Sequence, residues 1–281
     1  MLDPQYMERV TDNLIELYEA LEDAIIEDIA DRIKKNGYLT DTAQMQAEVL
    51  IENGYTTQKI ESLVEDKLKE IDSELENIID TSAIKHYEDE QNAYRLANKD
   101  LVDYAKNQHV DKTVNIAKDR LMEGNANITK SLGVVVDGKD IKLNQFYKKT
   151  LNEAVFKVAS GAFTSQQVVR KLINDISNSG ITAINYLNSG RNYTLESASK
   201  MLVRTTLNQM TGEISMLNAN DMGQDLMEIS AHAGARPSHA VWQGQIVSIS
   251  GDNSKYLSLD DIGYGEVTGF MGRILCPCKT M

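Results

Sequence analysis

Between residues 4 and 35 the apolar side chains Met7, Val10, Leu14, Leu17, Leu21, Ile25, Ile29 and Ile33 recur every three or four positions, painting one stripe along a helix. A stripe of this length must be covered, either by the rest of the chain as a helical bundle or by a partner on which the helix docks. Asp3 before Pro4 suits the start of such a helix, and Asn36-Gly37 suits its stop. The same logic predicts a second, shorter helix from the box-like Asp41-x-x-Gln44 to Asn53-Gly54. A third is predicted from about Thr57, with Ile60, Val64, Ile71, Leu75 and Ile78 on one side.

Helical patterning continues more weakly from Leu101 to Leu121. Gly124, Gly133 and Gly138 then interrupt a stretch in which Val134-Val135-Val136 is compatible with a short strand or an apolar turn. Further helices fit Leu143 to about Ser160, and a segment capped by Ser165 whose buried side would be Val168, Leu172, Ile173 and Ile176. A last helical run extends from about Leu195 to Met216, with Ala198, Met201, Thr205 and Gln209 on one face. Beyond it, Leu226 to Ser230 and Ile246 to Ile249 are β-prone and are separated by Gly, Asp and Ser. The expected fold is α+β and predominantly helical: long N-terminal amphipathic helices, then a compact C-terminal α+β module. Three regions are expected: an acidic helical region over 1–125, a helical middle over 126–222, and the α+β module over 223–281.

Charge narrows the function. The net charge is −13, and residues 1–100 carry 25 Asp and Glu against 10 Lys and Arg. Counterion release on DNA requires clustered cations, so this third of the chain is not expected to bind nucleic acid. No window reaches the run of about 18 apolar residues that a bilayer span demands, so no membrane association is expected. Met1-Leu2-Asp3-Pro4 lacks the basic-then-apolar opening of a cleaved signal. The two cysteines, Cys276 and Cys278, are too close together to staple a fold.

Rare residue types are concentrated in one window. Residues 229–244 hold two of the four histidines, the single tryptophan and one of three prolines. Gly234 permits unusual dihedrals and Pro237 biases Arg236 to extended backbone, so a strand end leading into a tight turn is expected there. His232, Arg236 and His239 then converge, either to bond backbone carbonyls around Trp242 as an apolar plug or to bind something. His232, His239, Cys276 and Cys278 together have the composition of a tetrahedral zinc site, although Cys-x-Cys is tighter than the usual spacing. Catalysis would need a pair such as Glu228 with His232 or Ser238 with His239, for which adjacency alone is weak support. Phosphate-loop, dinucleotide and zinc-protease signatures are absent; Gly263-Tyr264-Gly265 lacks the third glycine.

The string His232-x-Gly234-Ala235-Arg236-Pro237-x-His239-x-x-Trp242-Gln243-Gly244, followed by Ser250-Gly251 and Tyr264-Gly265, resembles the hallmark of phage minor capsid proteins of the second type, related to the Mu F-like head morphogenesis proteins. Supporting matches in the same order are Ser160-Gly161, Gly180-Ile181, Tyr186-x-x-Ser189-Gly190-Arg191 and Val203-Arg204-Thr205. The chain departs from that family at Ile274-Leu275-Cys276-Pro277-Cys278, where the family usually has Asn-Cys-x-His. The resemblance implies a structural, non-enzymatic protein made in the host cytoplasm and placed in the virion head, inside it or at the portal vertex. It implies several copies per particle, the portal protein and the major capsid protein as partners, and roles in head assembly and in DNA packaging or delivery. No cofactor is implied, a structural zinc being the open alternative. The rival it brings is an enzyme module, zinc-dependent or ADP-ribosyltransferase-like, with Arg204 and Glu228 as the residues to suspect.

Overall fold

A computed structural model describes residues 2–36, 43–130, 132–136, 139–142, 181–185, 192–229, 241–259 and 272–274, with isolated positions between 145 and 174 and at 261. Helix α1 (Pro4–Arg9) starts as the sequence predicts, with the Asp3 carboxylate accepting from Gln5 N and Pro4 in the first turn. The expected single helix is divided, however: Val10 and Thr11 form a turn before α2 (Asp12–Asn36), at a point where two β-branched residues adjoin. Helix α3 (Ala43–Leu96) corrects a second expectation, because it passes straight through Asn53-Gly54. A glycine inside a helix costs only about 1 kcal/mol, which a helix of this length can bear. No proline occurs between Pro4 and Pro237 to enforce a stop.

A 3₁₀ turn (Tyr104–Lys106) leads into α4 (Gln108–Lys130), whose N-cap is Asn107, its side-chain oxygen accepting from Val110 N at 3.2 Å. Gly124 does not interrupt α4. A Cβ there would lie 2.5 Å from Leu202 Cδ1, so glycine is used for close approach and not for a break. Strands β1 (Leu132–Val136), β2 (Lys139–Lys142), β3 (Ile181–Asn185) and β4 (Asn192–Thr194) form an antiparallel sheet in the order β2-β1-β3-β4. The valine run is thus a strand as expected, whereas the sheet it joins falls in a region predicted to be helical. Described positions from 145 to 174 are mostly helical. Thr164 supplies a capping box: Thr164 Oγ1 accepts from Gln167 N at 3.3 Å, and Gln167 Oε1 accepts from Thr164 N at 2.9 Å, while Ser165, the expected cap, lies outside the described residues.

Helix α5 (Leu195–Asp221) follows, capped by Thr194, and then β5 (Leu226–Ile229), β6 (Ile246–Ser248), β7 (Leu257–Ser258) and β8 (Gly272–Ile274) build a second sheet ordered β7-β6-β5-β8. The face predicted for α5 is turned: Met201, Thr205 and Gln209 are exposed, and Ala198, Val203, Thr206, Leu207, Met210, Ile214 and Asn218 are buried. The fold is therefore α+β and predominantly helical, as the sequence predicts.

The chain forms two compact units, neither of them one continuous stretch. The first comprises Met1–Val10, Glu76–Leu121 and Val203–Met281, and the second comprises Thr11–Leu75 and Met122–Leu202. In the second unit Leu14, Tyr18, Leu21, Ile25, Ile71 and Leu75 are buried to 2% exposure or less. The described part of the α2 and α3 stripes is therefore intramolecular core, which corrects the reading in which that part docks on a partner. Polar atoms are threaded through this core: Tyr18 Oη donates to Asn125 Oδ1 at 2.6 Å, and Asn125 Nδ2 donates to Asp72 Oδ1 at 2.8 Å. Burial, aided by the nearby Asp72 charge and only partly offset by a hydrogen bond with Ser199, pushes the Tyr18 hydroxyl up to about 12.

Substituting Tyr18→Phe leaves the Asn125 oxygen without its donor in a buried site, and is expected to lower unfolding free energy by about 1–3 kcal/mol in chemical denaturation. Leu21→Ala, which opens a cavity in the same core, is expected to cost about 2–5 kcal/mol. A smaller effect of Leu21→Ala than of Tyr18→Phe would contradict this account of the core.

Candidate functional site

The sequence concentrates its rare residues between β5 and β6, and the structure shows how the base of that excursion is closed. Ile229 N donates to Gln245 O at 2.9 Å, and Gly244 N donates back to Ile229 O at 2.8 Å. The last strand residue of β5 is thereby clamped to the residues that enter β6. Within the return, Gln245 N donates to Trp242 O at 3.1 Å, closing a turn in which Gly244 has φ +71°. Nothing lies within 4 Å of where a Gly244 Cβ would be, so glycine is required here by the backbone and not by space.

Trp242 is half-buried and packs, with Met216 and Ile249, against the cluster Met227, Ile229, Val247 and Leu259. The alternation of β5, with Met227 and Ile229 buried and Leu226 and Glu228 half-buried, supplies the inward face of that cluster. Trp242 thus covers part of the apolar cluster on this sheet. Of the remaining motif residues, Gln243 and Gly244 lie in the same turn, whereas His232, Gly234, Arg236, Pro237 and His239 fall outside the described residues.

A second clamp, not anticipated from sequence, holds the other end of β6. Asp225 accepts from Ser248 Oγ at 2.7 Å and from Ser250 N at 2.7 Å, and Ser248 Oγ accepts from Gly251 N at 2.9 Å. Slight burial works against the Asp225 charge, but the hydrogen bonds from Ser250 and Ser248 outweigh it and hold the carboxyl below its ordinary value of 3.8. An Asp just before a strand and Ser-x-Ser just after its partner were the available signals.

The chemical candidates fare as follows. Cys276 and Cys278, like His232 and His239, lie outside the described residues, and so does Ser238. Among the described residues no group of three His, Cys, Asp or Glu side chains is placed to hold a metal ion. Arg204 projects from α5 to within 3.9 Å of Glu8, both well exposed, whereas Glu228 sits in the middle of β5 between Ile246 of β6 and Arg273 of β8. The described part of the motif is thus an architectural knot closing a small sheet. The group that sequence reasoning missed altogether is a buried His86, Glu90, Ser215 and Asn218 set in the first unit.

Comparison with known proteins accords with this geometry. The profile of the family described as phage minor capsid protein 2 matches residues 2–279. A structural protein of Lactococcus phage LL-H is 25% identical over 277 residues, spanning 92% of this chain and 72% of that protein. No solved structure matches.

Gly244→Ala forces a side chain into the left-handed region and is expected to cost about 1–2 kcal/mol, read in urea through the fluorescence of the single tryptophan. Since Asp225 is held below 3.8 in the fold, the stability it contributes is present above that pH and lost as pH falls through its folded value. Asp225→Asn is therefore expected to lower stability at pH 7 and to leave it unchanged relative to the parent at the acid end. Equal losses at both pH values would rule out a charged acceptor at this position.

Proposed function

This chain belongs to the phage minor capsid protein 2 family, and on that premise we propose that it works as a portal-associated structural component of a phage head, in head assembly and in DNA packaging or delivery. The observation that carries this reading is the match of the family profile from residue 2 to residue 279, which leaves no room within the chain for an unrelated module. A relative named as a phage structural protein, aligned over most of both chains, supports the same assignment.

The physical chemistry of the surface fits a protein that meets proteins. With the apolar stripe of α2 inside, its outward positions include Glu16, Glu19, Asp23, Glu27 and Asp31, spaced three or four apart. No Lys or Arg occurs from residue 12 to residue 31. Phosphate backbones are repelled by such a row, so a contribution to DNA packaging is exerted through the portal protein and the neighbouring major capsid protein and not by gripping DNA. No helix among the described residues is long and apolar enough to cross a membrane. The expected position is the head, in its interior or at the portal vertex, in several copies.

Cross-linking of purified particles followed by mass spectrometry tests the placement. Cross-links joining this chain to the portal protein are expected, and particles formed without the chain are expected to be depleted of packaged DNA. Particles that contain the chain but cross-link it only to tail proteins, with normal DNA content in its absence, would overturn the proposal.

A further inference from the structure

His86 and Glu90 stand one helical turn apart on α3 and meet Thr211, Ser215 and Asn218 of α5 within the first unit. His86 is 1% exposed and Ser215 7%. The Ser215 hydroxyl lies 2.9 Å from His86 Nε2 and hydrogen-bonds Glu90 Oε1, while Asn218 Nδ2 donates to Glu90 Oε2 at 2.7 Å. Asn218 Oδ1 is buried with no partner among the described residues, so the array has no spare donor to absorb a rearrangement. His86 Nε2 and Glu90 Oε1 are 3.5 Å apart, and this is not a standing ion pair, because burial acts against charge on both.

From this geometry we propose that His86, Ser215, Glu90 and Asn218 form an acid-sensitive latch between α3 and α5, closed while His86 is neutral and opened when that ring must take a proton. The surroundings offer an added proton little help. Burial holds His86 down to about 3, and the charge of Asp89 does not reverse this. The Asp89 carboxylate is engaged by Lys85 at 3.1 Å, and Glu213, on α5, by Arg120 at 3.3 Å. Glu90 is itself raised above 4.5 by burial, against the opposing bonds from Ser215 and Asn218.

The two shifts have opposite signs in linkage. A His whose folded value is depressed contributes stability above its unfolded 6.5 and loses it as pH falls towards 3. A Glu whose folded value is raised gains relative stability as pH falls from that raised value to its unfolded 4.5, which offsets part of the histidine's loss above 4.5. Below 4.5 the histidine acts alone, and the latch equilibrium shifts by up to about tenfold per pH unit.

Hydrogen exchange of the full-length chain, followed by mass spectrometry from pH 7 to pH 3 and corrected for the intrinsic pH dependence of exchange, reads the latch directly. Peptides covering 82–94 and 207–219 are expected to lose protection as pH falls below 6.5, most steeply below 4.5, and earlier than those covering 14–25. Glu90→Gln removes the offset, so the loss is expected to begin closer to 6.5, while His86→Gln is expected to flatten the pH dependence of the same peptides. Ring titration of His86 by NMR in the unmodified chain covers the case in which a variant does not fold. A ring that takes its proton near 6.5 in the folded protein, or peptides 82–94 and 207–219 with the same pH profile in the parent and in Glu90→Gln, would overturn the latch.

Discussion

The removal of apolar helical stripes from water is the constraint on which everything else in this chain depends. Ile71, Leu75, Ile78, Ile79, Ala83 and Tyr87 of α3 are exposed by 1% or less, and the same helix contributes to both units. At about 25 cal/mol per Å² of apolar surface this burial is the dominant favourable term available to the fold. It also fixes what the protein can present outwardly. Once Leu14, Leu21 and Ile25 are inside, α2 has mainly carboxylates to offer, and any contact it makes is governed by charge and screened by salt.

Features that depend on one strong local signal were legible in the sequence. The α1 start rests on Asp3-Pro4, the stripes on three-and-four spacing, the valine strand on its β-branched run, and the α+β class on the change in character after Leu226. Features that depend on competition between weak signals were not. Asn53-Gly54 has the composition of a stop, but a long helix tolerates one glycine, at a cost of about 1 kcal/mol. Ile181 to Asn185 becomes a strand only because β1 and β4 flank it, and pairing of that kind has no local signature.

The candidate site was legible as a place and only partly as a structure. Concentration of Trp242, Gly244 and their neighbours pointed to a knot, and the described part is one: a left-handed glycine, a half-buried indole and two backbone bonds through Ile229. The role of Asp225 escaped because its partners Ser248 and Ser250 are more than twenty residues away and their hydroxyls are among the least distinctive groups in a sequence. His86 escaped for a different reason. It stands in phase with Ile79, Ala83 and Glu90 on the inward side of α3, where a histidine at an apolar position is ordinarily a satisfied core residue.

That ordinary reading is correct as far as it goes, and its energetics explain why this pair of helices differs from the others. The buried side of α5 in the first unit includes Thr206, Thr211, Ser215 and Asn218 among its apolar residues, so its attachment rests on hydrogen bonds as much as on area. Apolar contacts are indifferent to pH and tolerate small displacements. A hydrogen bond between buried groups depends on geometry and on proton occupancy, and it leaves a costly orphan when either fails. The Tyr18, Asn125 and Asp72 chain of the second unit contains no imidazole, whereas the first unit places one at the centre of its array. Two cores of similar burial therefore differ in kind: one is fixed by packing and neutral donors, and the other is held by a proton inventory that the surroundings can alter.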